Sequence, residues 1–574
     1  GQIIEEKQGE YIVNRTYDSE GNCTRITSSL GADIRHTYDH EGNLQTMQAG
    51  ESWQASWVRD NTGLEVQRTF SGGVTVRTER DCFGREIRKT VRSGNRETGA
   101  YHYQWGIANR LLSKENELTG TVTRYDYDRF DFLIRQETIQ GSETDVIYRV
   151  PDFVGNLFET PDKKDRKYGA GGKLLEDPNY FYHYDDEGNL IFREFKQLQE
   201  TGVKFDRKRM EKERGIHFLA TGTGWLYEWS SNGMLKKVIR PDGRPVEFRY
   251  DALGRRTAKQ YFGKVTRWVW DGNVPIHEWG YKVTDMQPNE EKSAPLKEPT
   301  KDITTWVFET GTFVPTAKIQ DGKQYSIVSD YLGTPIQMYD EQGKKTWECT
   351  LDVYGKATTF EGRSLSDCPF RFQGQYEDEE TGLYYNRFRY YSPKMGMYIS
   401  SDPIGLAGGN PTLYGYVFDP NTQVDPFGLD CDKVNKARAR QHKMLQDNKG
   451  FNISPTDWDA YPSIGRNGTF ITDCKGALGY FGNFKKGDTI TISSVKAAKI
   501  ESDMGLNPGS LQNGFKIREV SGISSMNPRS PLEGNEYFLG GGQHLPGGAP
   551  EMVINSIPTT DNASVTTILT VLVK

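Results

Sequence analysis

Tyr17-Asp18-Ser19-Glu20-Gly21-Asn22 is repeated almost unchanged as Tyr38-Asp39-His40-Glu41-Gly42-Asn43. The second copy begins 21 residues after the first, and Trp229, Tyr250 and Trp270 follow one another at intervals of 21 and 20 residues. A fixed period of about 20 residues indicates one supersecondary unit repeated along the chain. Further copies of the pattern are Tyr184-Asp185-Asp186-Glu187-Gly188-Asn189 and Tyr250-Asp251-Ala252-Leu253-Gly254-Arg255.

Each of these units predicts a β-hairpin. The Asp-x-x-Gly and Glu-Gly-Asn steps supply the turn, because Gly and Asn accept positive φ at little cost. Short strands flank the turn, as in Arg249-Tyr250 before it and Arg256-Thr257-Ala258-Lys259 after it. The aromatic residue of one unit is expected to stack on that of the next. Since a single hairpin is barely stable, the units are expected to join edge to edge into one long sheet. A β-propeller blade repeats every ~40 residues or more and fits this period poorly.

The composition favours a β-rich, turn-dense protein of more than one domain. The 574 residues include 61 Gly, and 35% are hydrophobic. Mean hydropathy is −0.72, which is low for one ordinary core. Aromatic residues, 12% of the chain, offset this in part because each brings a large apolar face. The net charge of −6 divides into +2 for residues 430–574 and −8 for the rest, a small asymmetry that an ordinary solvated surface explains as well as a basic cargo in an acidic container does.

The cysteines and the apolar residues bear on the cellular compartment. The six cysteines lie far apart without a Cys-x-x-Cys pair, which argues against a disulfide scaffold or a zinc ribbon and predicts folding in a reducing cytosol. No apolar run approaches about 18 residues, so no membrane span is predicted. The N-terminus shows no signal-peptide pattern. The chain begins at Gly1-Gln2 inside the repeat pattern, which suggests a fragment of a longer protein.

Near residue 400, two similar Asp-Pro-x-Gly-Leu motifs separate two parts of the chain that differ in sequence pattern. Asp402-Pro403-Ile404-Gly405-Leu406 is followed by Asp425-Pro426-Phe427-Gly428-Leu429. Aromatic-Asp units precede this pair and are missing after it. The pattern favours a container, a processing point and a cargo, in that order along the chain.

Residues 1–429 resemble the Rhs/YD-repeat family. The stretches that carry the resemblance are Phe372-Gln373-Gly374-Gln375-Tyr376, then Glu380 to Tyr391, then Ser401 to Leu406 and Asp425 to Leu429. In that family the repeats coil into a hollow β-sheet shell around a variable C-terminal toxin. The resemblance therefore implies a mainly β fold with three parts: a shell (residues 1–365), a plug segment that carries the processing site (366–429) and a cargo domain (430–574).

The same resemblance implies a role and partners. Members are weapons in competition between bacteria and often travel on a type VI secretion spike. A cognate immunity protein is expected, and so is a spike or adaptor protein that binds a missing N-terminal region. The protein would reside in the bacterial cytoplasm before secretion and then be delivered into a neighbouring cell.

Asp402 and Asp425 are the most specific candidate catalytic pair in the sequence. Two carboxyl groups held together share a proton, because both cannot ionise cheaply. One can then activate water while its protonated partner polarises a peptide carbonyl. The resemblance implies this dyad and cleavage at Leu429–Asp430, with Arg387 and Arg389 as possible supports. Asp-Pro-x-Gly is also a good turn sequence, so the residues alone leave a purely structural role open.

The cargo domain predicts a small α+β fold with an antiparallel sheet. A helix is expected over Lys433–Gln446, ended by Gly450 and Asn452-Ile453-Ser454-Pro455. Ser493 or Ser494 is expected to cap a second helix. The predicted strands are Gly468–Thr472, Asp488–Ile492 and Gly514–Val520, followed by a closing hairpin of Glu551–Ile554 and Val565–Val573.

A long Gly/Pro-rich loop in the cargo domain suggests a metal-independent RNase. His544 could exchange protons with Glu533 or Glu536, while Arg529 steadies a phosphate. RNA or a component of translation would then be the target. No HNH, HExxH or clustered Cys/His pattern is present, so no metal is predicted, and the shell and plug require no cofactor. A loop His is also often inert.

Two other interpretations remain open from the sequence. Arg466, Ser493 or Ser494, and Glu551 occur in the order that resembles an ADP-ribosyltransferase or another NAD-consuming toxin, for which NAD would be the substrate. The match is loose, because Arg, Ser and Glu in that order occur in many domains. A surface adhesion or wrapping protein with a C-terminal binding module is the third interpretation, although an adhesin has no need to sever its tip.

Overall fold

The computed structural model describes residues 2–574 apart from 107, 108, 153, 287–296, 409, 411, 430–439, 442, 457–459, 465–467, 483, 505, 507 and 530–550. Within these residues, the chain up to residue 362 forms two large antiparallel sheets in which every strand pairs with its neighbours in sequence. The expected mainly β fold is confirmed.

The first sheet has 14 strands among the described residues. They are β1 (Glu5–Gln8), β2 (Tyr11–Tyr17), β3 (Cys23–Ser28), β4 (Asp33–Tyr38), β5 (Leu44–Ala49), β6 (Trp53–Arg59), β7 (Glu65–Phe70), β8 (Val74–Arg80), β9 (Glu86–Ser93), β10 (Arg96–Trp105), β11 (Leu111–Asn116), β12 (Thr121–Tyr127), β13 (Leu133–Gln140) and β14 (Glu143–Tyr148). A small ladder of β15 (Val150–Pro151) and β16 (Leu157–Phe158) follows it.

The second sheet has 16 strands in the described part of the chain. They are β17 (Lys167–Tyr168), β18 (Leu174–Glu176), β19 (Tyr180–Tyr184), β20 (Leu190–Phe195), β21 (Gly224–Trp229), β22 (Leu235–Ile239), β23 (Pro245–Tyr250), β24 (Arg256–Tyr261), β25 (Lys264–Asp271), β26 (Val274–Lys282), β27 (Thr304–Phe308), β28 (Pro315–Gln320), β29 (Lys323–Ser329), β30 (Pro335–Tyr339), β31 (Lys345–Leu351) and β32 (Ala357–Gly362). A helix, Arg207–Arg214, lies in the connection between β20 and β21.

The Tyr-Asp pattern builds each hairpin through two side chains. Asp39 Oδ1 accepts hydrogen bonds from the amides of Glu41 (3.0 Å) and Asn43 (2.9 Å), which closes the turn. The hydroxyl of Tyr38 donates to the carbonyl of Cys23 in the preceding hairpin at 2.8 Å. Tyr250 makes the same contact with the carbonyl of Leu235, also 15 residues earlier. Successive units are thus joined by hydrogen bonds to the backbone, where ring stacking was expected.

The first sheet packs along the second at a nearly constant sequence offset. Arg15 pairs with Asp271, Trp53 Nε1 donates to Ser326 Oγ at 3.0 Å, and Ser93 Oγ donates to the carbonyl of Gly343 at 2.6 Å. These partners are 256, 273 and 250 residues apart. Because these three offsets all lie between 250 and 273 residues, the chain coils and lays one turn on the next. The two turns share one hydrophobic core, which includes Val13, Trp53, Trp279 and Val328.

His277 lies between the two turns of the coil. Its burial there leads us to expect that the protein loses stability in acid. Its Nε2 is 2.6 Å from Ser28 Oγ and its Nδ1 is 3.1 Å from Thr305 Oγ1. Burial lowers the pKa of His277 to about 4. Because an unfolded His titrates near 6.5, the unfolded state binds more protons below that pH. The contribution of neutral His277 to the free energy of unfolding is therefore fully present above about pH 6.5. It is lost as the pH falls toward 4, by about 3 kcal/mol.

Thermal unfolding of wild type and of His277→Gln, measured from pH 7.5 to pH 4.5, checks this expectation. The variant should start less stable and lose less on acidification. His40→Gln is the matched control, because the His40 side chain is 90% exposed and should leave the pH dependence unchanged. An identical acid response in wild type and His277→Gln would contradict the assignment.

The plug segment forms a small sheet of its own against the second large sheet. Its strands are β33 (Tyr376–Asp378), β34 (Leu383–Asn386), β35 (Arg389–Ser392) and β36 (Met397–Tyr398). Buried tyrosines of the plug, among them Tyr385 and Tyr390, pack with Trp268 and Trp270 of β25 in one cluster. This packing fixes β35 and β36, which carry Arg389 and Tyr398.

The segment predicted as the cargo domain contains one sheet of six strands among its described residues. Helices Cys474–Leu478 and Ser494–Met504 accompany it. The strands are β37 (Lys449–Pro455), β38 (Ser463–Ile464), β39 (Thr469–Thr472), β40 (Asp488–Ile492), β41 (Phe515–Ser521), β42 (Glu551–Ile554), β43 (Ile557–Pro558) and β44 (Val565–Val573). Phe130 of the shell packs on its cluster of Met444, Ile471 and Met552.

Three expectations for the cargo domain were wrong. β42 and β44 do not form a hairpin, because β42 pairs with β39 while β44 inserts between β40 and β41. The sheet is mixed, since β40 and β44 run parallel. Gly450 and Asn452-Ile453-Ser454-Pro455 lie inside β37, so they do not end the first helix. The predicted strands at Gly468–Thr472, Asp488–Ile492 and Gly514–Val520 are present within one residue.

The described residues hold no helix long and apolar enough to cross a bilayer. The thiols of Cys23, Cys82, Cys349, Cys368 and Cys474 are free, and Cys431 lies outside the described residues. In the same part of the chain, His, Cys, Asp and Glu side chains form no group of three that could hold a metal ion.

Candidate active site

The carboxylates of Asp402 and Asp425 both lie close to the guanidinium of Arg389. Arg389 begins β35, and its Nη2 lies 3.0 Å from Asp402 Oδ2 and 3.5 Å from Asp425 Oδ2. All three side chains are buried, with Arg389 only 1% exposed. A buried carboxyl pair is costly unless a cation and hydrogen bonds compensate it. Arg389 supplies that compensation and brings the two Asp-Pro loops together.

Asp425 is held by donors on both oxygens. The phenol of Tyr398 donates to its Oδ2 at 2.8 Å, and the amide of Leu429 donates to its Oδ1 at 2.9 Å. Its own carbonyl accepts from Asn386 Nδ2 at 2.7 Å. The contact with an amide four residues on is the same device that closes the Tyr-Asp hairpins. It places the Leu429 amide directly on the carboxylate, while Asp430 lies outside the described residues.

Asp402 accepts fewer hydrogen bonds than its partner. Its Oδ1 accepts from the amide of Ile404 at 2.9 Å, and its amide donates to the carbonyl of Leu413 at 2.9 Å. Burial raises the pKa of Asp402 above its ordinary value, and the charge of Asp425 adds to the rise. Arg389 and the Ile404 amide oppose it. Of the two residues, Asp402 has a clear reason to keep a proton.

Arg389 also fixes the chain around Leu429. Its Nε donates to the carbonyl of Gly428, and its guanidinium lies 3.8 Å from the centre of the Tyr398 ring. Gly428 has φ +67°, and a Cβ there would lie 2.6 Å from the carbonyl oxygen of Asn386. Only glycine fits this position, which accounts for the Gly of the second Asp-Pro-x-Gly motif.

The structure brings three of the four expected residues of this site together. Arg387 is the exception: its guanidinium lies over the rings of Phe388 (5.1 Å) and Trp270 (6.0 Å). Tyr398 was missed, because its residue type does not separate it from the other tyrosines of the chain, which has 31 in total. Its position four residues before Asp402 could have served as a signal.

Most of the cargo candidates lie outside the described residues. These are His544, Glu533, Glu536 and Arg466. Arg529 exchanges backbone hydrogen bonds with Val553 at 2.9 Å, and Ser493 Oγ accepts from the amide of Lys496 at 3.3 Å. Glu551 starts β42 opposite Thr472, and burial raises its pKa to about 7. A carboxyl with that pKa is suited to acid–base work near neutral pH.

Comparison with known proteins identifies the shell. The model of the family described as Teneurin YD-shell matches residues 73–407. The chain is 29% identical over 465 residues to a probable deoxyribonuclease RhsB of Dickeya dadantii, covering 76% of this chain and 29% of that protein. It is 28% identical to the toxin protein Tse5 of Pseudomonas aeruginosa (73% and 36%). It is 26% identical to a tRNA3(Ser)-specific nuclease WapA of Bacillus spizizenii (70% and 15%).

A solved structure shows the same fold. The chain superimposes on a Tc holotoxin pore of Photorhabdus luminescens with a TM-score of 0.53 and 18% identity, covering 73% of this chain and 21% of the other. The chain spans about a third or less of the length of the curated relatives named here. With a family model matched over more than half of its residues and Rhs proteins among its relatives, the chain belongs to the teneurin YD-shell family of Rhs/YD-repeat proteins.

Proposed function

We propose that this chain is part of an interbacterial toxin that cuts itself between Leu429 and Asp430. The observation that carries the proposal is the contact of both Asp402 and Asp425 with Arg389, with the Leu429 amide 2.9 Å from Asp425 Oδ1. The shell and plug then form a container, and residues 430–574 are the toxin it releases. These three boundaries belong to the proposal.

The reaction is hydrolysis of one peptide bond. An ionised carboxyl takes a proton from water, and the water oxygen attacks the carbonyl carbon of Leu429. The protonated partner gives its proton to the carbonyl oxygen, which forms a tetrahedral intermediate. When that intermediate collapses, the C–N bond breaks and the nitrogen of Asp430 leaves with a proton. One water is consumed, and the products are a carboxylate on Leu429 and an amine on Asp430.

Cleavage serves release, because a tethered toxin could not leave its container as a separate domain. In this proposal the container is loaded in the producing cell and delivered into a neighbour. A spike or adaptor binds a region N-terminal to this chain, and an immunity protein protects the producer.

The purified wild-type protein tests the proposal. A denaturing gel should show two bands in place of one, the smaller about a quarter of the chain, and N-terminal sequencing of the smaller should begin at Asp430. Native gel filtration should show the two fragments co-eluting, because an enclosed domain needs no covalent link to stay. A single intact band would sink the proposal, and separation under native conditions would argue for an open sheet.

For the cargo domain, we propose a metal-independent RNase. Two observations support a nucleic-acid target: a relative is named a tRNA nuclease and another a deoxyribonuclease. Burial that raises the pKa of Glu551 to about 7 supports acid–base chemistry in this domain. The same carboxyl is the late Glu of the ADP-ribosyltransferase hypothesis, so it keeps an NAD-consuming toxin as the second candidate.

Expression of variants without the immunity protein separates the two chemistries. Glu551→Gln should reduce toxicity by roughly 10² in either case, because it removes a titrating group. His544→Ala and Arg529→Ala should slow RNA decay, and EDTA should not. If the domain instead consumes NAD, Arg466→Ala should abolish NAD loss and His544→Ala should be mild. Intact RNA with falling NAD in the wild type would overturn the RNase proposal.

A further inference from the structure

The two carboxyl groups of the site receive different kinds of hydrogen bond. Asp425 accepts from the Tyr398 phenol at Oδ2 (2.8 Å) and from the Leu429 amide at Oδ1 (2.9 Å). Asp402 accepts from the Ile404 amide at Oδ1 (2.9 Å). Arg389 Nη2 is close to both, at 3.0 Å from Asp402 and 3.5 Å from Asp425. The phenol is thus the feature that distinguishes Asp425.

Tyr398 is placed to act as a hydrogen-bond donor. It is completely buried, and its ring faces the Arg389 guanidinium at 3.8 Å. Burial and the charge of Asp425 raise the pKa of Tyr398 well above its ordinary value, so the phenol keeps its proton. If Asp425 carried a proton on Oδ2, that proton and the phenol proton would compete for the same 2.8 Å gap. A donor on each oxygen favours the ionised carboxyl.

The groups that face this pair leave the asymmetry intact. Arg389 comes from β35, Asp402 from the first Asp-Pro loop, and Tyr416 from the segment between the loops. Tyr391 of β35 adds a ring 5.8 Å from that of Tyr398. Arg389 acts on both carboxyls, whereas Tyr398 acts on Asp425.

We infer that Tyr398 is a positioning residue whose hydrogen bond to Oδ2 holds Asp425 as the proton acceptor, so that Asp425 takes the proton from water and Asp402 donates one to the Leu429 carbonyl. The inference rests on the proposed self-cleavage. It divides a symmetric-looking pair into a base and an acid. It also adds a residue to the site that the Asp-Pro motifs do not contain.

The test follows cleavage of the full chain against pH in Tyr398→Phe. A short radiolabelled cell-free pulse provides uncleaved protein, which is then shifted into buffers from pH 4.5 to pH 9 and sampled on denaturing gels. Without the phenol, Asp425 loses one of the two hydrogen bonds that favour a charged carboxylate. The acid limb of the rate profile should move up by about one pH unit, and the rate at a pH on that limb should fall roughly tenfold.

Tyr391→Phe is the matched control. Its phenol is also buried but donates to the carbonyl of Tyr354 at 2.8 Å, so the acid limb should stay where it is in wild type. An unchanged profile in Tyr398→Phe, or a slower rate without a shift in pH, would overturn the inference. If Asp425→Asn cleaves normally, the assignment of Asp425 as the base fails, whereas wild-type protein that stays intact would show that the proposed self-cleavage itself fails.

A second substitution covers the case in which Tyr398→Phe does not fold. 3,5-Difluorotyrosine at position 398, introduced by amber suppression, keeps the ring and makes the phenol a stronger donor. The acid limb should then move to lower pH. A shift to higher pH, or no shift, would contradict the assigned role of Tyr398.

Discussion

Asp425→Asn and Asp402→Asn are each expected to leave the chain in one piece. An amide cannot take a proton from water or hold the shared proton, so each change removes one half of the proton transfer. We expect the cleavage rate to fall by roughly 10² to 10⁴, which leaves a single band of full length after hours. Asn keeps the size of Asp, and in Asp425→Asn the side-chain amide oxygen can still accept from the Leu429 amide.

Asp419→Asn is the control for removing a buried carboxyl from the same segment. Asp419 is 4% exposed and accepts from Tyr127 (3.3 Å) and Thr422 (3.1 Å), so this variant should still cleave. The measurement is the cleaved fraction on a denaturing gel, with co-elution on gel filtration as a check of folding. Normal fragments in both Asp402→Asn and Asp425→Asn would show that the dyad is misassigned.

Asp378→Asn is expected to lower the free energy of unfolding by about 3–5 kcal/mol, because it weakens the contact of the plug segment with the second large sheet. Asp378 is completely buried in β33, and its carboxylate pairs with Arg256 Nη1 (2.5 Å) and Lys259 Nζ (3.0 Å) of β24. The Arg256 guanidinium lies 4.5 Å from the ring of Trp268 and 4.6 Å from that of Tyr385. Burial alone would raise the pKa of Asp378, but Arg256 and Lys259 hold it below its ordinary value. Loss of the charge leaves Arg256 without its counter-ion and leaves Lys259 paired with Glu380 alone, at 2.7 Å.

Urea unfolding followed by tryptophan fluorescence measures this effect, since Trp268 lies beside the pair. Asp33→Asn is the control, because Asp33 pairs with Arg25 at 2.7 Å with side chains 32% and 47% exposed. That exposed pair should contribute less than about 1 kcal/mol. Equal changes in the two variants would mean that the buried pair does not hold the plug.

The Tyr-Asp units show which features of the fold can be predicted from residues that are neighbours in the sequence. Asp39 and Gly42 close a turn whatever surrounds them, so the repeat predicted the hairpins and their sequential order in the sheets. The cargo domain shows where such reasoning stops. β44 lies between β40 and β41, and no local pattern encodes which distant strand an apolar segment joins. The hairpin prediction failed for that reason.

The sequence by itself determined the repeated hairpin, the family and the candidate pair Asp402 and Asp425, because each depends on residues close together in the chain. The roles of that pair stay predictions. Only the tertiary structure decided the offset of about 250 residues between turns of the coil, because it depends on sheet twist accumulated over many strands. The tertiary structure also decided that the Tyr398 phenol donates to Asp425 and that the Arg387 guanidinium lies over the Trp270 ring. A side chain's partner across a sheet is fixed by packing, and the chain carries no short-range mark of it.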